Sequence, residues 1–109
     1  MRVWDIPVRR LCRAHLLGEH RELHAVWAIL TEGKKGYRNH PETKRWVGAL
    51  KGLYDRHEHL AAEMSARGYR HQSGLDRRFA DGRSKPILLL IPLGKQRDLL
   101  RKKGCACRV

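Results

Sequence analysis

The stretch PETKRWVGALKGLYDRHEHLAAEMSARG, residues 41–68, carries the clearest helical pattern in this chain. Trp46, Leu50, Leu53, His57, Leu60 and Met64 recur every three or four residues, and Val47, Tyr54 and Ala61 widen the stripe. That spacing puts them on one face of an α-helix. Pro41 suits a first turn, where its missing N–H costs nothing, and Asn39 or His40 is expected as the cap. Glu42 favours the positive end of the helix dipole. Arg67 falls in the last turn and Gly68 is a natural C-cap. The pattern predicts one continuous helix.

Outward toward the N-terminus, LCRAHLLGEHRELHAVWAIL (residues 11–30) repeats the signal with the stripe Leu16, Leu23, Trp27 and Leu30. This helix is expected to end near Leu30 or Thr31. His15, Glu19 and Glu22 recur beside the stripe as a charged edge. Pro7 fits an early helical turn, with Asp5 as its cap. Gly33 and Gly36 punctuate the basic connection EGKKGYRNH that leads to Pro41. Beyond Gly68, residues 69–85 hold no periodicity and a dense set of arginines, which suits a surface loop. Pro86 to Leu93 reads as an extended or helical segment filling the core, because a lone strand would have no partner. A final helix is expected from about Pro92 to Lys103, with Leu93, Leu99 and Leu100 as its apolar side and CACRV as a tail. The expected fold is all-α: a compact single domain over residues 1–109, of about three helices, with the N-terminal segment packed against them.

The charge narrows the partner. Across 109 residues there are 24 Lys and Arg against 11 Asp and Glu, a formal net charge of +13. Residues 1–65 carry a net +4 and residues 66–109 a net +9. Such an excess repels itself and is tolerated best beside a polyanion, so nucleic acid leads. The second half reads as surface that contacts the phosphate backbone, which gives affinity without a base code. The longest apolar run, Ile87 to Ile91, ends at Pro92 and cannot cross a bilayer. With no secretory core near the start, a cytoplasmic protein with reduced thiols is expected. Cys105 and Cys107 form a CxC, but the sequence shows no second pair to complete a four-ligand site, and Cys12 reads as a small core or boundary residue. His20 and His24 share a helix face without further ligands at obvious spacing, and His57 and His59 face different ways. No metal and no cofactor are expected. Trp46 and Tyr54 read as core rather than as base-stacking platforms.

Two groups invite chemistry. Glu22 has Gly18 and Val26 one turn before and after it, so no helical partner supports it. It is either a solvated surface acid or a carboxylate with a task, and Glu19 reads as surface or supporting charge. The α-amine of a main chain has a pKa of about 7.7–8.0, well below lysine, so a useful fraction is neutral near pH 7. A neutral amine can attack the anomeric carbon of a sugar and form a Schiff base.

Taken together, MRVW (1–4), HLLGEHREL (15–23), YRNHP (37–41) and LYDRHEHLAAEMSARGY (53–69) resemble the pyrimidine dimer DNA glycosylase family over roughly residues 1–72. The resemblance implies a helical repair enzyme that cuts the glycosidic bond of the 5′ pyrimidine in a cyclobutane dimer. An imine at C1′ then forms through the N-terminal amine, and the 3′ phosphate leaves by β-elimination. By position, the resemblance puts the nucleophilic amine on Met1 and the catalytic glutamate on Glu22. It also implies DNA-binding roles for Arg2, His15 and Arg21, and the arginine-rich loop is expected to track the backbone through Arg70, Arg77 and Arg78. A monomer acting without a metal on double-stranded DNA, at a damaged or abasic site, is the expectation.

The chain departs from the family pattern at three places. It starts Met-Arg where the family's phage member begins, after processing, with a threonine. Ala25 stands where a second arginine is expected, with His24 as a weaker substitute. The end, RKKGCACRV, lacks the aromatic residues expected near DNA. A non-catalytic DNA-binding module on the same scaffold is therefore the alternative, and a metal-dependent nuclease built from the histidines and the CxC is the third reading.

Overall fold

A computed structural model of the chain describes residues 3–34, 36, 38–69, 74–85 and 92–108. Four α-helices are present among them: α1 (Arg13–Glu32), α2 (Pro41–Arg45), α3 (Leu50–Ala66) and α4 (Leu93–Lys102). Two 3-10 turns, Val8–Arg10 and Arg77–Phe79, complete the regular structure, and no strand occurs among the described residues. The all-α expectation holds. The expected core-filling segment falls mostly at 86–91, outside the described residues.

The core forms where α1 and α3 pack against each other and against the N-terminal segment. Leu16, Leu23, Val26 and Trp27 of α1 meet Leu53, Leu60 and Met64 of α3. Val3, Trp4, Ile6 and Leu11 enter from the N-terminal segment, and Leu100 enters from α4. Ile6 and Leu11 are almost wholly buried, and each such side chain contributes about 1.5–3 kcal/mol of burial free energy. The segment ahead of α1 is thus part of the core rather than an arm.

Helix α1 runs to Glu32, slightly past the expected end. Gly33 closes it at φ +69°, and its N–H bonds Ile29 O at 3.1 Å. The early turn near Pro7 is only a three-residue 3-10 turn with no side-chain cap. Asp5 does not cap it, because its carboxylate is taken by Arg45 and Gln96.

The largest correction concerns residues 41–68, which are two helices rather than one. Gly48 sits at φ +73°, a left-handed conformation that interrupts the helix. A second segment stabilises the break. Arg83 N–H donates to Gly48 O at 2.8 Å, Lys51 N–H to Asp81 O at 2.7 Å, and Gly52 N–H to Arg83 O at 3.1 Å. The first amides of α3 have no partners inside their own helix, and the 81–83 loop supplies them. Val47, expected in the apolar stripe, is turned out to solvent and is 51% exposed. His40 caps α2 as expected, accepting the Glu42 N–H at 3.1 Å.

Candidate active site and nucleic-acid surface

Residues 3–5 cross the helices as an extended strap, and each of its three amides finds a side-chain acceptor on a different helix. Val3 N–H donates to Glu42 Oε1 of α2 at 3.2 Å. Trp4 N–H donates to Glu19 Oε1 of α1 at 3.1 Å. Asp5 N–H donates to Gln96 Oε1 of α4 at 2.9 Å, and Gln96 Nε2 returns a bond to Asp5 Oδ2 at 3.0 Å. A buried strap without a ladder must satisfy its amides this way. Arg45 closes the arrangement: Nη1 donates to Val3 O at 3.1 Å and Glu42 Oε1 at 2.9 Å, while Nη2 pairs with Asp5. Glu42 Oε1 also accepts Trp46 Nε1–H at 3.2 Å.

Glu19 is therefore no surface acid. It is 2% exposed, and Arg56 forks onto it through Nε at 2.6 Å and Nη2 at 2.9 Å. Burial pushes its carboxyl pKa up, while the Arg56 guanidinium and the Trp4 amide oppose that shift. Glu22 lies almost one turn farther along α1 and is half-buried, and Arg21 beside it is exposed. Met1, Arg2 and Arg70 lie outside the described residues.

The remaining predicted contacts divide. Arg77 and Arg78 are exposed on the 3-10 turn after Asp76, as phosphate contact requires. Arg78 is already engaged, with Nη2 2.8 Å from Asp76 Oδ2 and Nε 3.1 Å from Oδ1. The Arg78 bonds hold the Asp76 carboxyl below its usual range. Phe79, 45% exposed, stands beside them. A cleft of about 420 Å³ runs from this turn to α1, bounded by Leu75, Asp76 and Phe79 on one side and His24, Trp27 and Thr31 on the other. Trp46 is buried and Tyr54 is half-buried against the core, as expected.

His15, in the first turn of α1, faces the carboxyl-terminal tail and the strap. Its Nδ1 lies 3.1 Å from Cys12 Sγ and 3.4 Å from Cys107 Sγ, and its ring meets the Trp4 ring edge-on. Cys12, His15, Cys105 and Cys107 bring four possible ligand atoms within 4.8 Å of one another. The expectation of an incomplete CxC is thus corrected, because the fold itself supplies the second pair as Cys12-x-x-His15. The tail closes onto this point: Arg108 N–H donates to Arg10 O at 2.8 Å. Cys12 feels opposing effects. Burial pushes its thiol up, but the His15 amide and ring and the Cys107 thiol outweigh it and bring the pKa down to about 6. Burial pushes the Cys107 thiol up to about 12.

A second cluster was equally hidden. The Nε2 atoms of His20 and His24 lie 3.2 Å apart, and His57 Nε2 is 3.2 Å from the first and 3.1 Å from the second. His20 and His24 are four apart on α1, and the third imidazole comes from α3. No spacing within one helix could have announced it.

The family model described as pyrimidine dimer DNA glycosylase matches residues 1–77 of the chain. No curated protein and no solved structure matches it.

Proposed function

Because this chain belongs to the pyrimidine dimer DNA glycosylase family, whose activity is glycosidic cleavage on DNA, we propose that it is a glycosylase with AP lyase activity working through the Met1 α-amine and Glu22. The neutral amine attacks C1′ of the damaged nucleotide, and the glycosidic electron pair leaves with the base. The resulting N,O-hemiaminal opens at its C1′–O4′ bond: the nitrogen lone pair forms the imine, O4′ leaves C1′ and takes up the proton that the nitrogen gives up. A base then removes the C2′ proton, and the 3′ phosphate departs by β-elimination. Water finally hydrolyses the imine and frees the amine.

Glu22 stabilises the cationic character that develops at C1′ and is absent from the ground state, which is where an electrostatic group accelerates a reaction. It also accepts the C2′ proton. The amine and the carboxylate supply nucleophile and counter-charge, so no metal takes part in these steps. Arg2 and Arg21 hold the flanking phosphates, and Arg70, Arg77 and Arg78 follow the backbone. A damaged pair costs less to open than an intact one, which makes C1′ accessible. Cyclobutane dimers are the proposed lesion and a monomer is the proposed working form. No helix among the described residues is long and apolar enough to cross a membrane, and the proposed site of action is the cytoplasm.

The observation that supports this reading best is the strap. Trp4 is tied to Glu19, and Glu22 follows it by three residues, a rise of about 4.5 Å along α1. Val3 to Asp5, the segment that leads back toward Met1, are thus anchored through Trp4 on the helix that carries Glu22.

Borohydride trapping on a duplex with a defined abasic site tests the proposal. A covalent complex through Met1 is expected, lost when the amine is blocked and strongly reduced in Glu22→Gln. If unblocked protein nicks this duplex without any trapped complex, the mechanism is wrong. Tight DNA binding with no cleavage of dimer-containing or abasic duplexes selects the binding-module reading that Ala25 favours. A panel of defined lesions fixes the substrate.

A further inference from the structure

We propose that this protein binds a structural zinc ion through Cys12, His15, Cys105 and Cys107. Three thiolates and one imidazole form a donor set that zinc takes in closed, tetrahedral sites. For zinc held at ordinary bond lengths, sulfur and nitrogen ligands are about 3.5 Å apart along a tetrahedron edge. The His15 Nδ1 distances of 3.1 and 3.4 Å to Cys12 and Cys107 come close to that value. All four donors fall within 4.8 Å of one another although they come from opposite ends of the sequence.

The surroundings fit an anion-rich centre. Cys12 is the N-cap of α1 and His15 lies in its first turn, where the helix dipole favours thiolates. The Cys12 N–H donates to Cys107 Sγ at 3.0 Å, as outer-shell donors do for metal-bound thiolates. Three thiolates and a neutral imidazole around the divalent ion leave the centre with a charge of −1 in a chain of +13. The ion would fasten the tail after α4 to the start of α1, where Arg108 already bonds Arg10.

The histidine cluster independently carries a second zinc site. Nitrogen ligands on a tetrahedral zinc lie about 3.3 Å apart, against 3.1–3.2 Å among the Nε2 atoms of His20, His24 and His57. His57 Nδ1 lies 3.0 Å from Glu58 Oε1, the carboxylate contact that keeps the proton on Nδ1 and turns the Nε2 lone pair toward a metal.

Metal analysis of the full chain, purified under reducing conditions without chelator, tests both sites. Two zinc ions per chain are expected. Cobalt replacement should give a thiolate charge-transfer band from the cysteine site, and Cys107→Ser should lose that band and one metal. His24→Gln should lose the other metal and keep the band. Glu58→Ala should weaken metal binding at the histidine site by about 10- to 100-fold. Wild-type protein that takes up cobalt with no thiolate band, or that forms a Cys12–Cys107 disulfide under reductant, overturns the cysteine site. A single zinc, lost in Cys107→Ser, overturns the histidine site. Iron in place of zinc overturns the assignment of the ion. These readouts are taken on unmutated protein first, so a variant that fails to fold does not shelter the proposal. They are also independent of borohydride trapping.

Discussion

Glu19 Oε1 accepts the Trp4 amide at 3.1 Å while Arg56 forks onto both oxygens of the same carboxylate. One buried acid therefore does two jobs: it anchors the strap ahead of α1 and ties α1 to α3. A buried charge is retained only if its attraction and hydrogen bonds offset the cost of desolvation. Here all three bonds converge on one group, so removing its charge strikes packing and site geometry together.

Glu19→Gln leaves an acceptor for Trp4 but strips Arg56, 14% exposed, of its counter-charge. Breaking a buried pair from one side costs about 3–5 kcal/mol, and urea denaturation should show a loss near the lower end. The double variant Glu19→Met, Arg56→Met removes both charges and should recover much of that stability. It leaves the Trp4 amide without its acceptor, so borohydride trapping should stay low. Full trapping in the double variant would separate the strap from catalysis.

Arg45→Lys tests the other anchor. The guanidinium serves Val3 O, Glu42 and Asp5 at once, and an ammonium cannot span that fork. A loss of about 2 kcal/mol is expected from one or two charge-assisted bonds. In the proposed enzyme, turnover on abasic duplex should fall more than duplex affinity, because the strap positions the amine and the basic surface remains. Equal falls in kcat and affinity would contradict that division of labour.

These anchors also show what could be read from the sequence. The apolar stripes of α1 and α3 and the final helix follow from local periodicity, and all were legible. The break at Gly48 was not, because it depends on hydrogen bonds from residues 81–83 that no nearby spacing encodes. Glu19 and Glu22 look alike as letters in LGEHREL. Only the path of the strap distinguishes a buried anchor from a half-buried neighbour. The two ligand clusters escaped for the same reason: His57 meets His20 across helices, and Cys107 meets Cys12 across nearly the whole chain. Gly48 and Gly52, close together in WVGALKG, were a signal for the break that the strength of the stripe obscured.

The close approach of the 81–85 loop to α3 makes two glycines irreplaceable. A Cβ on Gly52 would sit 2.5 Å from Ser84 O, and one on Gly82, already at φ +80°, would collide with Gly48 O. Both obstacles are backbone, which cannot swing aside. Gly52→Ala and Gly82→Ala should each lower stability by about 1–3 kcal/mol, seen as a lower denaturation midpoint. Gly18→Ala, whose added carbon comes within 4 Å of no described atom beyond its chain neighbours and its own helix backbone, is the matched control and should be neutral or stabilising.

Asp76 gives a pH signature. Its carboxyl pKa is lowered in the fold, first by the Arg78 side chain and then by the Arg78 amide. A depressed folded pKa means that this contribution is present above the unfolded value of about 3.9 and fades as pH falls through the folded value. A side-chain NMR titration should place Asp76 below the ordinary aspartate range, and Arg78→Ala, which keeps the backbone amide, should move it part of the way back. An Asp76 midpoint that does not move in Arg78→Ala would remove Arg78 as the cause.

The same pair sets the expected hierarchy in DNA binding. Arg77 and Arg78 sit on one turn, but Arg78 must partly surrender Asp76 before it can fork onto a phosphate. Each phosphate left without its cation should lower the slope of log affinity against log salt by about 0.9. Arg77→Ala is therefore expected to reduce the slope by close to that amount, with Arg78→Ala producing less. Asp76→Asn removes the competing carboxylate and should tighten binding most at low salt, through Arg78 alone. In the double variant Asp76→Asn, Arg78→Ala that gain should vanish. Duplex binding measured across a salt series decides it: a gain that persists without Arg78 would mean that Asp76 acts by general repulsion of phosphate and not by holding one arginine away from it.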